Sequence, residues 1–487
     1  MLKRTRENAL ILFLSVFSLI SVQAIHAIEE HWNWDLLPDR TSEEFAEKYI
    51  KLPKDFKFGG AGSDMQYSGL QTVGGMAQNS WTQETKRPQP GIGNGFWDRF
   101  EQDIQLLRNA GIQTMRISVE WAKIQPDGKE FKQEVMDCYK KQIRALNDAG
   151  IKPVVCFFHH TWPTWFMEKG AFEKAENGAD FKQYAQFVYD QLKPEGVECW
   201  MTYNEPAGVV LSQYLIGKLP PSRKGRLWLA GQVLKNMYST HVELAHEIKA
   251  KDNNAKFMIA HIMEPLHPYH DYNPLESLIC NQFGYLNNQL TIDYFTNGKF
   301  NWFGLVTDEN AKAPSSIDIF ALNYYSHTVI KQNSPFEYPP LSLTMKAHRS
   351  EEIKIGRGTL YAEGLKDCIE KAKKAGKPIW ITENGVDTAE GVKDKKMRTE
   401  YLMRHLYVIS KAIEEGANIQ EYHYWTPIDS FSWSSGNGTK KYGLIKVDFK
   451  NGTLERKLRS DALPFVNLMR KQAGMPPFEQ TKNTKTV

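Results

Sequence analysis

Residues 197–206 read VECWMTYNEP. The run from Val197 to Tyr203 mixes Val, Cys, Trp, Met, Thr and Tyr, side chains that suit a buried strand. Pro206 cannot continue a strand ladder, and a proline biases the residue before it toward an extended backbone. The stretch therefore predicts a strand that ends at Glu205 and holds that carboxylate at its mouth. A solvated acid at a strand end is the plain alternative, and the rest of the chain has to decide between them.

Outward from this stretch, short apolar strands alternate with amphipathic helices. Strands are expected at Phe56–Gly60, Thr114–Val119, Pro153–Phe158, Glu198–Tyr203, Phe257–Ile262, Ile317–Leu322, Pro378–Thr382 and Tyr422–Trp425. Helical patterns such as FWDRFEQDIQLLRNAG and EVMDCYKKQIRALNDAG lie between most of them and close on Gly, a common helix stop. Strands joined by helical crossovers form a parallel sheet. Eight is the count of a closed (β/α)8 barrel, the TIM barrel, whose functional residues sit at the C-terminal strand ends. A doubly wound open sheet is the competing α/β architecture, but no Gly-rich phosphate loop follows the first strand. The stretch from Gln332 to Gly358 reads as a long irregular excursion, and the residues after Gly474 as a frayed tail.

The 487 residues can bury one large core or two ordinary ones. No linker or repeat divides them, so a single domain is expected. At 41% hydrophobic and 24% charged, the composition is that of a soluble globular protein. The formal charge is +4, of which Lys3, Arg4, Arg6 and Glu7 supply +2. The remainder is too small to argue for a nucleic-acid or membrane-surface partner. Thirteen Trp, 21 Tyr and 25 Phe supply flat faces for the core and for stacking on sugar rings.

The N-terminus runs MLKRTREN, then ALILFLSVFSLISV, then QAIHAIEE. This is the basic, apolar, small-residue order of a secretory signal peptide, with Ala24 or Ala27 at the cleavage point. The apolar stretch is short for a membrane span; an uncleaved anchor is the alternative. The expected organisation is a signal peptide at 1–27, a catalytic barrel at 28–474 and a tail at 475–487. The mature chain would be exported, to the periplasm or the medium, without lasting membrane insertion. The five cysteines, 138, 156, 199, 280 and 368, show no metal spacing. Cys156 and Cys199 fall in expected strands, where a thiol acts as a small hydrophobe. One disulfide is left open.

A second strand ends in an acid. In KPIWITENGVD, Glu383 closes the expected strand and Asn384-Gly385 turns the chain. A plain hairpin would be the bland reading, but a helix-rich stretch follows rather than a partner strand. Other strands end CFFHHTWP, RISVEW, NYYS and HYWTPIDSFSW. One such residue alone is more often structural; together they mark one rim. Two carboxylates from opposite sides of a barrel can face each other across its mouth, as glycosidic hydrolysis requires. One must stay protonated by desolvation or a neighbouring negative charge, and the other must be held ionised by donors.

TYNEP, ITENG, the opening FKFGGAGSDMQYSG, NYY and the closing YWTPIDSFSW with KKYGLIKVDF resemble the family 1 glycoside hydrolases, from about Phe56 to Leu468. The resemblance implies a retaining β-glycosidase on a (β/α)8 barrel, β-glucosidase-like, acting on a β-glycoside or short oligosaccharide. It implies Glu205 as general acid/base and Glu383 as nucleophile, roughly 5–5.5 Å apart. Asn204 would bond the sugar 2-hydroxyl. Arg116 and Tyr325 would hold the nucleophile ionised, with Asn323 as further support. Gln66 and His159 would bind ring hydroxyls, with His160 the structural neighbour. Trp425 would stack beneath the sugar and Trp433 would line the same pocket. No metal or organic cofactor is implied.

One departure matters. Typical family glucosidases carry Glu where this chain has Ser432, and a carboxylate grips sugar hydroxyls more strongly than a hydroxyl does. Ser432, Lys440 and Tyr442 are similar to the branch that acts on 6-phospho-β-galactosides, where such residues bind the phosphate. The spacing from Ser432 to Lys440 is one residue longer here, and a solvated basic loop is the competing account of Lys440-Lys441. An exported enzyme would meet few sugar phosphates, so an unphosphorylated β-glycoside is the first expectation and a 6-phospho-β-glycoside the second. A sugar-binding barrel without turnover is the rival of another class; retention of both glutamates counts against it.

Overall fold

The eight segments read as strands all form strands, and their bounds move by at most three residues. They are β1 (Lys57–Ala61), β2 (Thr114–Ser118), β3 (Lys152–Phe158), β4 (Cys199–Asn204), β5 (Lys256–Ile262), β6 (Phe320–Asn323), β7 (Ile379–Asn384) and β8 (Ile419–Trp425). Each pairs in parallel with the next, and β1 pairs with both β2 and β8, closing the barrel. The crossovers carry α1 (Phe96–Asn109), α2 (Gln133–Asp148), α3 (Gly178–Leu192), α4 (Leu227–Lys249), α5 (Leu290–Asn297), α6 (Glu363–Ala372) and α7 (Met397–Glu414). Helix α8 (Leu463–Gln472) follows β8. The computed structural model describes residues 34, 37 and 39–478, apart from 85, 334–340, 345–352, 356–357 and 389–395. Residues from Leu37 onward make one compact unit. The expected signal peptide at 1–27 and the end of the tail lie outside the described residues.

Both faces of the parallel strands are covered, so their sequences are apolar throughout rather than alternating; every residue of β2 and of β7 is buried. Inside the barrel, Val154, Cys156, Met201, Met258, Ala260, Ala321 and Trp380 form one cluster with Ile319. Alternate residues of a strand share a face, which is why 154 and 156, 258 and 260, and 319 and 321 contribute together. Small Ala260 and Ala321 sit in the same cluster as the large Trp380 ring. This plug fills the barrel below its mouth and leaves the C-terminal strand ends for chemistry.

Several expectations are corrected. Cys199 is only half-buried, and all five cysteines are free thiols. The excursion after Gln332 contains order: Leu341–Thr344 pairs antiparallel with Thr328–Gln332, and Ile353–Ile355 pairs with Gly358–Leu360. The start of the tail is pinned rather than frayed. Phe478 N–H donates to Asn467 Oδ1 at 2.8 Å, and the Arg470 guanidinium lies over the Phe478 ring. Strand β7 runs past Glu383 to Asn384, so Asn384-Gly385 is not a hairpin turn. Gly385 is needed for another reason: a Cβ there would lie 1.9 Å from the Trp425 carbonyl oxygen. Strands β4 and β7 are separated by β5 and β6, closer round the barrel than the opposite sides expected. No helix among the described residues is long and apolar enough to cross a membrane.

Candidate active site

Glu205 follows β4 immediately, and Pro206 opens a short helix, Pro206–Val210. Proline suits that first helical position because no partner is needed for the missing N–H. The backbone of Glu205 is not extended, as a residue before proline favours, but left-handed, with φ 51° and ψ 47°. A non-glycine residue pays roughly 1–2 kcal/mol for this conformation. Two bonds hold it: Glu205 N–H donates to Ala260 O at 2.8 Å, and Val209 N–H returns to Glu205 O at 2.9 Å. The residue itself is half-buried. Burial chiefly, then the negative charge of Glu383, pushes the Glu205 carboxyl up to about 8.

Glu383 lies within β7 and is 3% exposed. Arg116, wholly buried on β2, pairs through Nη2 with Glu383 Oε1 and donates from Nη1 to Asn204 Oδ1 at 2.8 Å. Tyr325 donates its hydroxyl to Glu383 Oε2 at 2.5 Å. A buried ion pair is kept only where its remaining lone pairs are met, and here each carboxylate oxygen has its own donor. Burial, with Glu383 beside it, keeps the Tyr325 phenol protonated far above its ordinary range. Glu383 thus receives a donor on each oxygen, while the Glu205 carboxyl is the one pushed up.

Asn323 departs from its expected place. Backbone register sets it opposite Glu383, yet its side chain donates to Glu205 Oε1 at 2.8 Å and to Asn204 Oδ1 at 3.3 Å. Thr382 Oγ1 donates to its Oδ1 at 2.7 Å and fixes the amide's orientation. Asn323 thus bonds Glu205 rather than Glu383. The histidine pair also needs revision. His159 lies parallel to Trp425, ring centres 5.5 Å apart, and its Nδ1 has no hydrogen-bond partner among the described residues. His160, expected to be structural, has Nε2 within 3.3 Å of Asn204 Nδ2. Burial pushes His159 well down and His160 to about 3, so both rings are neutral. Glu120, the acid of RISVEW, is tied to Asn79 and Thr161 instead.

A cavity of about 410 Å3 opens beside these groups. Tyr325, Trp425, Trp433, Gln66, Ser432, Lys440 and Tyr442 all line it, whereas the expected sugar-binding residues Asn204 and His159 are not among its lining residues. Gln66 already donates to Phe431 O at 2.7 Å and accepts from Ser63 Oγ at 2.8 Å. Trp433 meets Trp81 edge-on, with ring centres 4.9 Å apart. Lys440 is not a solvated surface lysine: its ammonium pairs with Asp387. Asp387 and Glu264 also line the cavity and were missed from sequence. Glu264 accepts from Thr328 Oγ1 at 2.5 Å, and burial raises its carboxyl. Its signal was present: Glu264-Pro265, just after β5, repeats the acid-before-proline pattern of Glu205-Pro206.

Known proteins carry the same plan. The chain is similar to the 6-phospho-beta-galactosidase of Leptotrichia buccalis, 28% identical over 449 residues, covering 82% of this chain and 95% of that protein. It is similar in structure to the beta-glycosidase from Pyrococcus horikoshii, with a TM-score of 0.73 and 27% identity, over 88% of this chain and 99% of that one. A beta-glucosidase from Exiguobacterium marinum aligns with a TM-score of 0.77 at 25% identity, over 87% of this chain and 99% of that one. The family model described as glycosyl hydrolase family 1 matches residues 48–473, from before the first barrel strand to the end of the last helix. With both carboxylates inside that span, each at its strand end, the chain belongs to glycosyl hydrolase family 1 and is a glycosidase.

Proposed function

We propose that this enzyme hydrolyses unphosphorylated β-glycosides with retention, with Glu205 as acid/base and Glu383 as nucleophile. The observation that carries the assignment is the division of donors: Glu383 receives Arg116 and Tyr325, whereas Glu205 is held near a pKa of about 8 by burial and by Glu383. Glu383 attacks the anomeric carbon as the bond to the leaving oxygen breaks, and Glu205 gives its proton to that oxygen. Glu205, now ionised, takes a proton from the incoming water, whose oxygen displaces Glu383 and returns the sugar with its original configuration. Asn204, tied to Arg116, His160 and Asn323, is placed to meet the sugar hydroxyl beside the anomeric carbon.

The preference for a neutral sugar rests on charge. Of the ionisable acids and bases lining the cavity, Asp387 and Lys440 pair with each other and burial raises the carboxyl of Glu264, so the lining offers no net positive charge. A phosphorylated sugar carries about −1.5 to −2 at neutral pH and would meet no uncompensated cation there. The second reading, a 6-phospho-β-glycosidase, is favoured by Ser432, Lys440 and Tyr442 all lining the cavity and by the names of the curated relatives. Nitrophenol release from the β-glucoside, the β-galactoside and the 6-phosphate of each decides between them. Faster turnover of the plain sugars is expected; preference for the phosphates would select the second reading. Glu383→Gln should lower turnover of the preferred substrate by roughly a thousandfold or more, and an unchanged rate would remove the mechanism. The leader at 1–27 supports export, and sequencing the N-terminus of the mature protein should find it starting near residue 25 or 28.

A further inference from the structure

Lys440 reaches the cavity already paired. Its Nζ meets Asp387 Oδ2, and Asp387 Oδ1 accepts the Lys441 N–H at 2.8 Å. Both carboxylate oxygens are thereby used, and the Asp387 side chain is only 7% exposed, against 17% for Lys440. Asp387 stands four positions beyond Glu383, at the same strand end, while Lys440 comes from the loop after β8. Asp429 anchors that loop nearby. It accepts from Gly443 N at 2.8 Å and from Val447 N at 3.3 Å, and pairs with Arg459 at 2.5 Å. The lysine is held at the cavity wall next to an acid that cancels its charge.

We infer that Asp387 sets the charge preference of the sugar cavity by holding Lys440, so that the cavity selects a neutral sugar over a phosphorylated one. This deepens the proposed glycosidase reading and rests on it. A phosphate accepting from Lys440 while the pair persists lies against the Asp387 carboxylate, and one that draws the ammonium away leaves that largely buried carboxylate unpaired and facing the new dianion. Breaking one partner from a buried pair is far more unfavourable than never forming it. A sugar hydroxyl meets no such conflict: it can donate to the carboxylate and accept from the ammonium while the pair persists. Ser432 fits the same cavity wall, since a hydroxyl adds no charge of its own.

The test is binding, read by calorimetry on the full-length protein with glucose, galactose and the 6-phosphate of each. Asp387→Asn keeps the shape and an acceptor for the Lys441 N–H but removes the negative charge. It should tighten binding of a sugar 6-phosphate by roughly tenfold or more relative to the wild type, with the plain sugars moving by less. No gain in phosphate binding would overturn the inference. The Asp387→Asn/Lys440→Met double variant gives an independent arm should the aspartate variant not fold. With both charges removed together, phosphate binding should stay within about threefold of the wild type; a larger loss would make Lys440 a working phosphate ligand and overturn the inference. Turnover is not needed, so a wrong assignment of Glu205 and Glu383 would appear in the hydrolysis assays and leave this result standing.

Discussion

Glu205 holds its proton to higher pH than an ordinary glutamate does, and burial and neighbouring residues set how firmly. Burial and Glu383 raise its carboxyl, whereas Asn323, donating at 2.8 Å, favours the ionised form and lowers it. Removing that donor in Asn323→Ala should therefore move the alkaline limb of kcat/KM to higher pH, from a starting point near 8. A pH profile of the variant checks this, and an unmoved limb would separate Asn323 from the acid. The two glutamates were legible because acids directly after apolar runs are unusual, and because a strand must hold them. The reach of Asn323 was not, since sequence gives backbone neighbours and its amide crosses to another strand. Asp387 was invisible for the same reason: its partner Lys440 lies 53 positions away.

At the scale of elements, strand positions were readable to within three residues because buried parallel strands are short apolar runs bounded by polar ends. What could not be read was how closely neighbouring backbones approach. Gly385 shows the difference. Asn-Gly suggests a turn, but this glycine keeps β7 and β8 close enough that a Cβ would meet Trp425 O at 1.9 Å and the Tyr424 ring edge at 3.4 Å. Gly385→Ala should push Glu383 and Trp425 apart, lowering stability by about 1–3 kcal/mol and kcat/KM by roughly a hundredfold. Thermal denaturation with steady-state kinetics measures both. Near wild-type values in both would mean the strand ends have slack. The loop containing Lys440 was legible as a basic stretch and as a candidate phosphate site; its anchoring by Asp429 requires the fold.

Over the whole molecule, the barrel keeps a costly arrangement in place: a left-handed glutamate and a buried ion pair above a packed plug. Stability and function are then in conflict at Glu205, and pH exposes it. In the unfolded chain this carboxyl titrates near 4.5, and in the folded protein near 8. Below pH 4.5 both states are protonated and the residue is neutral in the balance. Between 4.5 and 8 the unfolded chain releases the proton first, so ionisation favours unfolding and stability falls as pH rises; above 8 the full penalty is present. Glu205→Gln removes the titration but keeps the shape. Its Tm should match that of the wild type near pH 4.5 and exceed it by roughly 2 °C or more at pH 8, while hydrolysis of unactivated glycosides falls at every pH. Scanning calorimetry of the two proteins across that range measures the difference directly. A constant offset would mean the substitution acts through packing alone, whereas a gain that grows with pH would identify the proton on Glu205 as something the fold maintains against its own stability.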